Sequence, residues 1–87
     1  MPIYLAHRTV VESSEEDLEA AFVRAKEAAD QMPEVRWIRS YYSAEEGKIY
    51  CEYEAPSAEA IYEHARMAEL PLDRFTVVQN LEPSMFR

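Results

Sequence analysis

The chain carries one thiol, Cys51, and two imidazoles, His7 and His64. These are the ligand types that borderline ions such as Ni²⁺, Cu²⁺ or Zn²⁺ select, whereas Ca²⁺ and Mg²⁺ prefer oxygen. Glu63, Tyr53 or water would complete a shell around them. A thiol beside an imidazole is also the pair that covalent catalysis uses, but no glycine-rich oxyanion or phosphate loop accompanies it, since the only glycine, Gly47, belongs to a hairpin turn. The spacings lack the short repeated intervals of a zinc finger and the His-Glu-x-x-His pattern of a metalloprotease helix. A lone buried cysteine is most often a core residue, so a metal centre requires the fold to bring these three side chains together.

The elements that must do so are readable in order. Pro2 to Arg8 alternates as a first strand. A serine cap at Ser13 or Ser14, with Glu16 or Asp17 three residues on, opens a helix. Its apolar stripe is Leu18, Ala21, Phe22, Ala25, Ala29 and Met32, at helical period. The five acids between residues 12 and 19 suit the positive end of the helix dipole and read as a helix start, not a metal cluster. Pro33 stops the helix. Val35 to Tyr42 and Lys48 to Glu54, rich in aromatic and β-branched residues, form a hairpin around Ser43 to Gly47. Pro56 and Ser57 end the second of these strands and open another helix, carrying Ala58, Ile61, Ala65 and Ala68 at helical spacing, until Pro71 closes it. Leu72 to Leu81 reads as a last strand and Glu82 to Arg87 as a tail. The order predicts an α+β ferredoxin-like βαββαβ domain spanning residues 1–87: four antiparallel strands with both helices on one face. "Ferredoxin-like" names only the fold, since one cysteine cannot hold an iron–sulfur cluster.

In that fold strands one and three are central neighbours. One face of the pair carries Ile3, Leu5, His7, Ile49, Cys51 and Tyr53 and is the more apolar, so the helices are expected over it. The other carries Tyr4, Ala6, Arg8, Tyr50, Glu52 and Glu54, with Trp37, Arg39 and Tyr41 from strand two. That open face is too aromatic for an ordinary wet surface and is expected to meet a second copy, giving a dimeric α/β barrel. Arg8, Tyr50 and Glu52 are its candidate contacts to a small ligand, although plain packing of two copies is the simpler use of the same residues. Measured back from Pro56, Cys51 lies about 16 Å along its strand at ~3.3 Å per residue. His64 lies about 12 Å along its helix at ~1.5 Å per residue. The two share a height, and His7 is expected to join them from strand one.

The totals narrow the function classes. An 87-residue chain holds one core and buries only about 60–65% of its unfolded surface, which favours oligomers. A net charge of −8 repels phosphate backbones, so nucleic acid is not an expected partner. With no apolar run of membrane-spanning length, no leader pattern and a single cysteine, the chain reads as soluble and cytoplasmic, away from membranes.

Three segments carry a family resemblance: Trp37-Ile38-Arg39-Ser40-Tyr41, then Tyr50-Cys51-Glu52-Tyr53-Glu54-Ala55-Pro56, then His64-Ala65-Arg66-Met67-Ala68-Glu69-Leu70-Pro71. Together they resemble a family of small domains of unknown function whose characterised type is a nickel-binding, dimeric ferredoxin-like protein. The resemblance is strong over about half the chain and weaker at Tyr4-Leu5. It implies a homodimer with nickel-binding capacity and sets Cys51 and His64 at motif positions. Glu69 departs from the pattern, standing where many relatives carry Gly before Leu-Pro, and His7-Arg8 stand where related chains often have an acid nearby. The leading expectation is a small non-enzymatic metal-binding protein using Cys51, His64 and His7 for nickel or another late transition metal. The alternative is a dimeric barrel module that binds or transforms a small organic ligand on its open face.

Overall fold

The computed structural model describes residues 1–10 and 14–86. Val11, Glu12, Ser13 and Arg87 lie outside them, and with them the alternative cap at Ser13, the first of the five acids and the last tail residue. The chain forms β1 (Ile3–Thr9), α1 (Glu15–Gln31), β2 (Arg36–Ser43), β3 (Lys48–Glu54), α2 (Ala58–Ala68) and β4 (Arg74–Val78), followed by a single 3₁₀ turn, Pro83–Met85. This is the βαββαβ order expected. The four strands form one antiparallel sheet in the order β2-β3-β1-β4, which makes β1 and β3 the central pair.

Ser14 caps α1: its hydroxyl accepts from the Asp17 backbone N–H while the Asp17 carboxylate accepts from that of Ser14. Glu15, Glu16 and Asp17 then occupy the first turn, where the dipole favours them. The helix buries Ala21, Ala25 and Ala28, with Met32 at its end. Leu18 and Phe22 pack at its margin. Small residues on this face let the helix approach the sheet closely. Ser57 caps α2 through the Ala60 N–H, and Ile61, His64, Ala65 and Ala68 turn inward.

The end of α2 is closed by Glu69. Glu69 adopts the left-handed conformation, φ 54° and ψ 46°, while the N–H of Leu70 donates to the Ala65 carbonyl at 3.0 Å. A side chain there clashes with the backbone, and glycine does not. Glu69→Gly is expected to raise stability by about 0.5–1 kcal/mol, the usual cost of a left-handed non-glycine residue being of order 1–2 kcal/mol less the entropy glycine gains on unfolding. Urea unfolding of the two chains at equal slope measures it.

The register corrects one expectation. Across β1 and β3, Tyr4 faces Tyr53, Ala6 faces Cys51 and Arg8 faces Ile49. Directly opposed residues share a face, so Tyr4, Ala6 and Arg8 lie under the helices, and Ile3, Leu5 and His7 lie on the open face. The phase of β3 is as expected and that of β1 is reversed. Tyr4, Ala6, Ile49, Cys51 and Tyr53 are all core residues. Trp37 also changes sides: an irregularity between Trp37 and Arg39 lets both Trp37 and Ser40 pair on the helix face, opposite Tyr53 and Cys51. Trp37 stacks on Phe22 of α1, ring centres 5.9 Å apart and planes within 4°. Arg39 and Tyr41 remain on the open face. No helix among the described residues is long and apolar enough to cross a membrane.

Candidate functional site: a buried polar cluster and an open face

Under the helices the sheet holds four polar side chains, Arg8, Cys51, Tyr53 and His64, each almost wholly buried. β1 supplies the first, β3 the next two and α2 the last. The Arg8 guanidinium donates from Nη1 to the Pro71 carbonyl at 2.6 Å and from Nη2 to the Tyr53 hydroxyl at 3.1 Å. Its Nε is buried without a partner. The Tyr53 ring sits against His64, centroids 4.8 Å apart.

Each group has a legible state. His64 Nε2 lies 2.9 Å from the Ala25 carbonyl, which can only accept, so Nε2 carries the proton and Nδ1 presents a lone pair. That Nδ1 is buried and unpaired. Burial pulls the His64 pKa below its ordinary value, the Ala25 bond opposes this, and the Arg8 charge lowers it further. Burial likewise pushes the Tyr53 hydroxyl well above its ordinary value, helped by Cys51 and opposed by Arg8. Tyr53 is therefore a neutral phenol at pH 7, and Arg8, always protonated, receives no counter-charge from it. Cys51 ends a relay: the Trp37 indole donates to Ser40 Oγ at 2.9 Å, and that hydroxyl donates to the Cys51 sulfur at 2.9 Å.

The expected convergence of three ligands does not occur. Cys51 and His64 share the helix side, while His7 is on the opposite face of the sheet, edge-on to Tyr50 with ring centres 5.1 Å apart. Arg8, expected as an open-face contact, is instead 1% exposed beneath the helices. The cause is the reversed phase of β1, which exchanges the places of His7 and Arg8. Tyr50 and Glu52 are on the open face as expected, with Tyr50 donating to Glu46 at 2.6 Å and Glu52 3.5 Å from Arg39. His7 Nε2 is buried and unpartnered there. Burial lowers the His7 pKa, Arg74 and Lys48 lower it further, and Asp73 opposes them.

Two concavities flank these groups. A cavity of about 410 Å³ lies between α1, β1 and the segment after α2, with Arg8, Cys51, Arg24, Phe22, Leu70 and Pro71 among its lining residues. A shallower groove of about 460 Å³ crosses the open face past Leu5, Tyr41, Tyr50, Glu52 and Leu81. Sequence reasoning missed the roles of Ser40, Arg24 and the buried Arg8. The partners of Arg8 and Arg24 lie far along the chain, Pro71 at a separation of 63 residues and Ala68 at 44, and Ser40 reaches Cys51 only through the pairing of β2 with β3, so no local spacing announces them.

With this geometry in view, the model of the nickel responsive protein SCO4226-like family matches residues 4–78. The chain belongs to that family. In fold it is similar to the crystal structure of SCO4226 from Streptomyces coelicolor A3(2), with a TM-score of 0.78 and 21% identity over 92% of this chain and 99% of that one. No curated protein matches the chain.

The family description raises nickel, and the residues can be tested against it. Among the described residues no group of three or more His, Cys, Asp or Glu side chains stands close enough to hold a metal ion. A cation beside Cys51 and His64 would also share a low-dielectric space with the uncompensated Arg8 guanidinium, a repulsion of unit charges that burial strengthens. The described residues of one chain therefore make no complete nickel shell. On the open face, the unpartnered His7 nitrogen and the Glu52 carboxylate are donors of suitable type.

Proposed function

We propose that this protein is a small, non-enzymatic, cytoplasmic binding protein that takes up nickel or another late transition metal on its open sheet face, where a second copy of the chain completes the shell. The observation that carries this reading is the His7 Nε2, buried on that face and lacking any partner. An orphaned imidazole nitrogen is costly to bury, and a late transition metal is an acceptor of its lone pair. Membership of a nickel-responsive family supports the choice of ion. The half-formed donor set in one chain supports a homodimer, as do the exposed Tyr41 and Leu81 beside the groove. A free, buried thiol suits a reducing compartment.

Equilibrium dialysis with elemental analysis tests it. The wild-type chain is expected to retain nickel at micromolar free ion. His7→Ala is expected to lose at least about tenfold in affinity, within the 10–100-fold scale on which even outer-shell partners of a metal matter. Cys51→Ala is expected to bind as wild type does. No retention by wild type, or loss in Cys51→Ala with none in His7→Ala, overturns the proposal.

A further inference from the structure

The other side of the sheet holds a charge that the metal reading leaves unused. Arg8 is 1% exposed, it donates to two neutral groups, the Pro71 carbonyl and the Tyr53 hydroxyl, and the Cys51 side chain beside it also favours its charged form. Among the described residues no carboxylate lies within ion-pair distance of it. A buried charge without a counter-ion is strongly destabilising. Arg8 also retains unused donors: a guanidinium offers five N–H groups in a planar fork matched to a carboxylate, two are engaged, and the buried Nε has no partner.

This cation stands in the wall of the cavity of about 410 Å³. Leu18, Phe22, Ile49 and Leu70 are among its apolar lining, and Arg24, whose Nε donates to the Ala68 carbonyl at 2.8 Å, is a second cation of that lining held by a neutral carbonyl. Asp17, the acid in this lining, is occupied by the cap of α1. The volume is near the small end of the range of about 300–1,000 Å³ found for ligand pockets. A chamber of mixed lining, with an apolar part and a buried guanidinium that no described carboxylate pairs, is matched by a small molecule with an apolar body and a single negative charge.

We propose that this cavity is a binding site for a small apolar monocarboxylate, such as an aryl or branched acyl acid, whose carboxylate pairs with the Arg8 guanidinium while its body packs against Phe22 and Leu70. A singly charged carboxylate fits better than a phosphate dianion, because the chain carries a net charge of −8 and Asp17 borders the same space. The ligand supplies a counter-ion that no described carboxylate provides. The site is independent of the metal reading, since it lies on the opposite side of the sheet from His7.

Amide chemical-shift titration of the full chain with benzoate, with its neutral isostere benzamide and with inorganic phosphate tests this. Saturable shifts are expected for benzoate at the amides of Thr9, Val10, Ile49 and Leu70. Benzamide and phosphate are expected to bind at least about tenfold more weakly, the value of one charge-assisted bond. Arg8→Met, which keeps the volume and removes the charge, is expected to abolish the preference for benzoate over benzamide. The wild-type preference carries the test by itself where that variant does not fold. Equal affinity for benzoate and benzamide, phosphate binding more tightly than benzoate, or no saturable shift for any probe overturns the proposal.

Discussion

Tyr53→Ala is expected to be the most damaging single substitution among those considered, lowering stability by about 3–5 kcal/mol. Tyr53 is fully buried near the end of β3. Its ring packs on His64 and its hydroxyl accepts from Arg8. Truncation therefore opens a cavity beneath α2 and strips a partner from a buried cation at one stroke. A domain of 87 residues has a total stability of roughly 0.05–0.15 kcal/mol per residue, so this loss leaves the variant near its unfolding threshold. Tyr53→Phe separates the two causes. It keeps the ring and removes only the acceptor, and is expected to cost about 1.5–3 kcal/mol, the range for a hydrogen bond to a charged group. Urea titration of the three chains orders them as wild type, Phe, then Ala. A Phe variant as stable as wild type would show that the Tyr53 hydroxyl is dispensable to Arg8.

The second large effect is on pH. Burial holds the His64 pKa below its ordinary value of 6.5 in the folded state, while the unfolded chain titrates near that ordinary value. Between the two, the unfolded state binds the proton and the folded state does not. Stability is thus fully present above about pH 6.5 and falls as pH drops through that value toward the lower folded one. His7, whose pKa is also lowered, acts in the same direction. His64→Gln, which can still donate to the Ala25 carbonyl but cannot titrate, is expected to flatten most of the stability loss between about pH 7 and 5. The measurement is the thermal midpoint of both chains across that interval. Parallel curves for wild type and His64→Gln would assign the acid sensitivity elsewhere.

The parts of this fold that sequence patterns reveal are those fixed by local chemistry. Ser14 with Asp17 and Ser57 with Ala60 mark helix starts because a cap and its N–H lie within one turn. Pro33 and Pro71 end segments because of their own ring geometry. The phase of β3 is equally plain, as Ile49, Cys51 and Tyr53 alternate with the half-buried, mostly charged Lys48, Tyr50, Glu52 and Glu54. β1 is different. Ile-Leu-His is the more apolar of its two faces, so hydropathy selects it for the core, and the observed choice rests on burying Arg8, a residue that hydropathy sends to water. Its burial depends on Tyr53 and Pro71, 45 and 63 residues away. Because side chains alternate with period two, that single misplacement moves the whole strand to the other face. It also moves His7 away from Cys51 and His64, so the three-ligand centre dissolves while the motif that suggested the family stays intact.

The central claim, a metal held on the open face without the thiol, is tested most directly by X-ray absorption at the nickel edge on the loaded wild-type protein. The account predicts a first shell of nitrogen and oxygen only, with imidazole scattering that disappears in His7→Ala. A sulfur scatterer near ~2.3 Å, the usual metal–thiolate distance, would place the ion at Cys51 and contradict it.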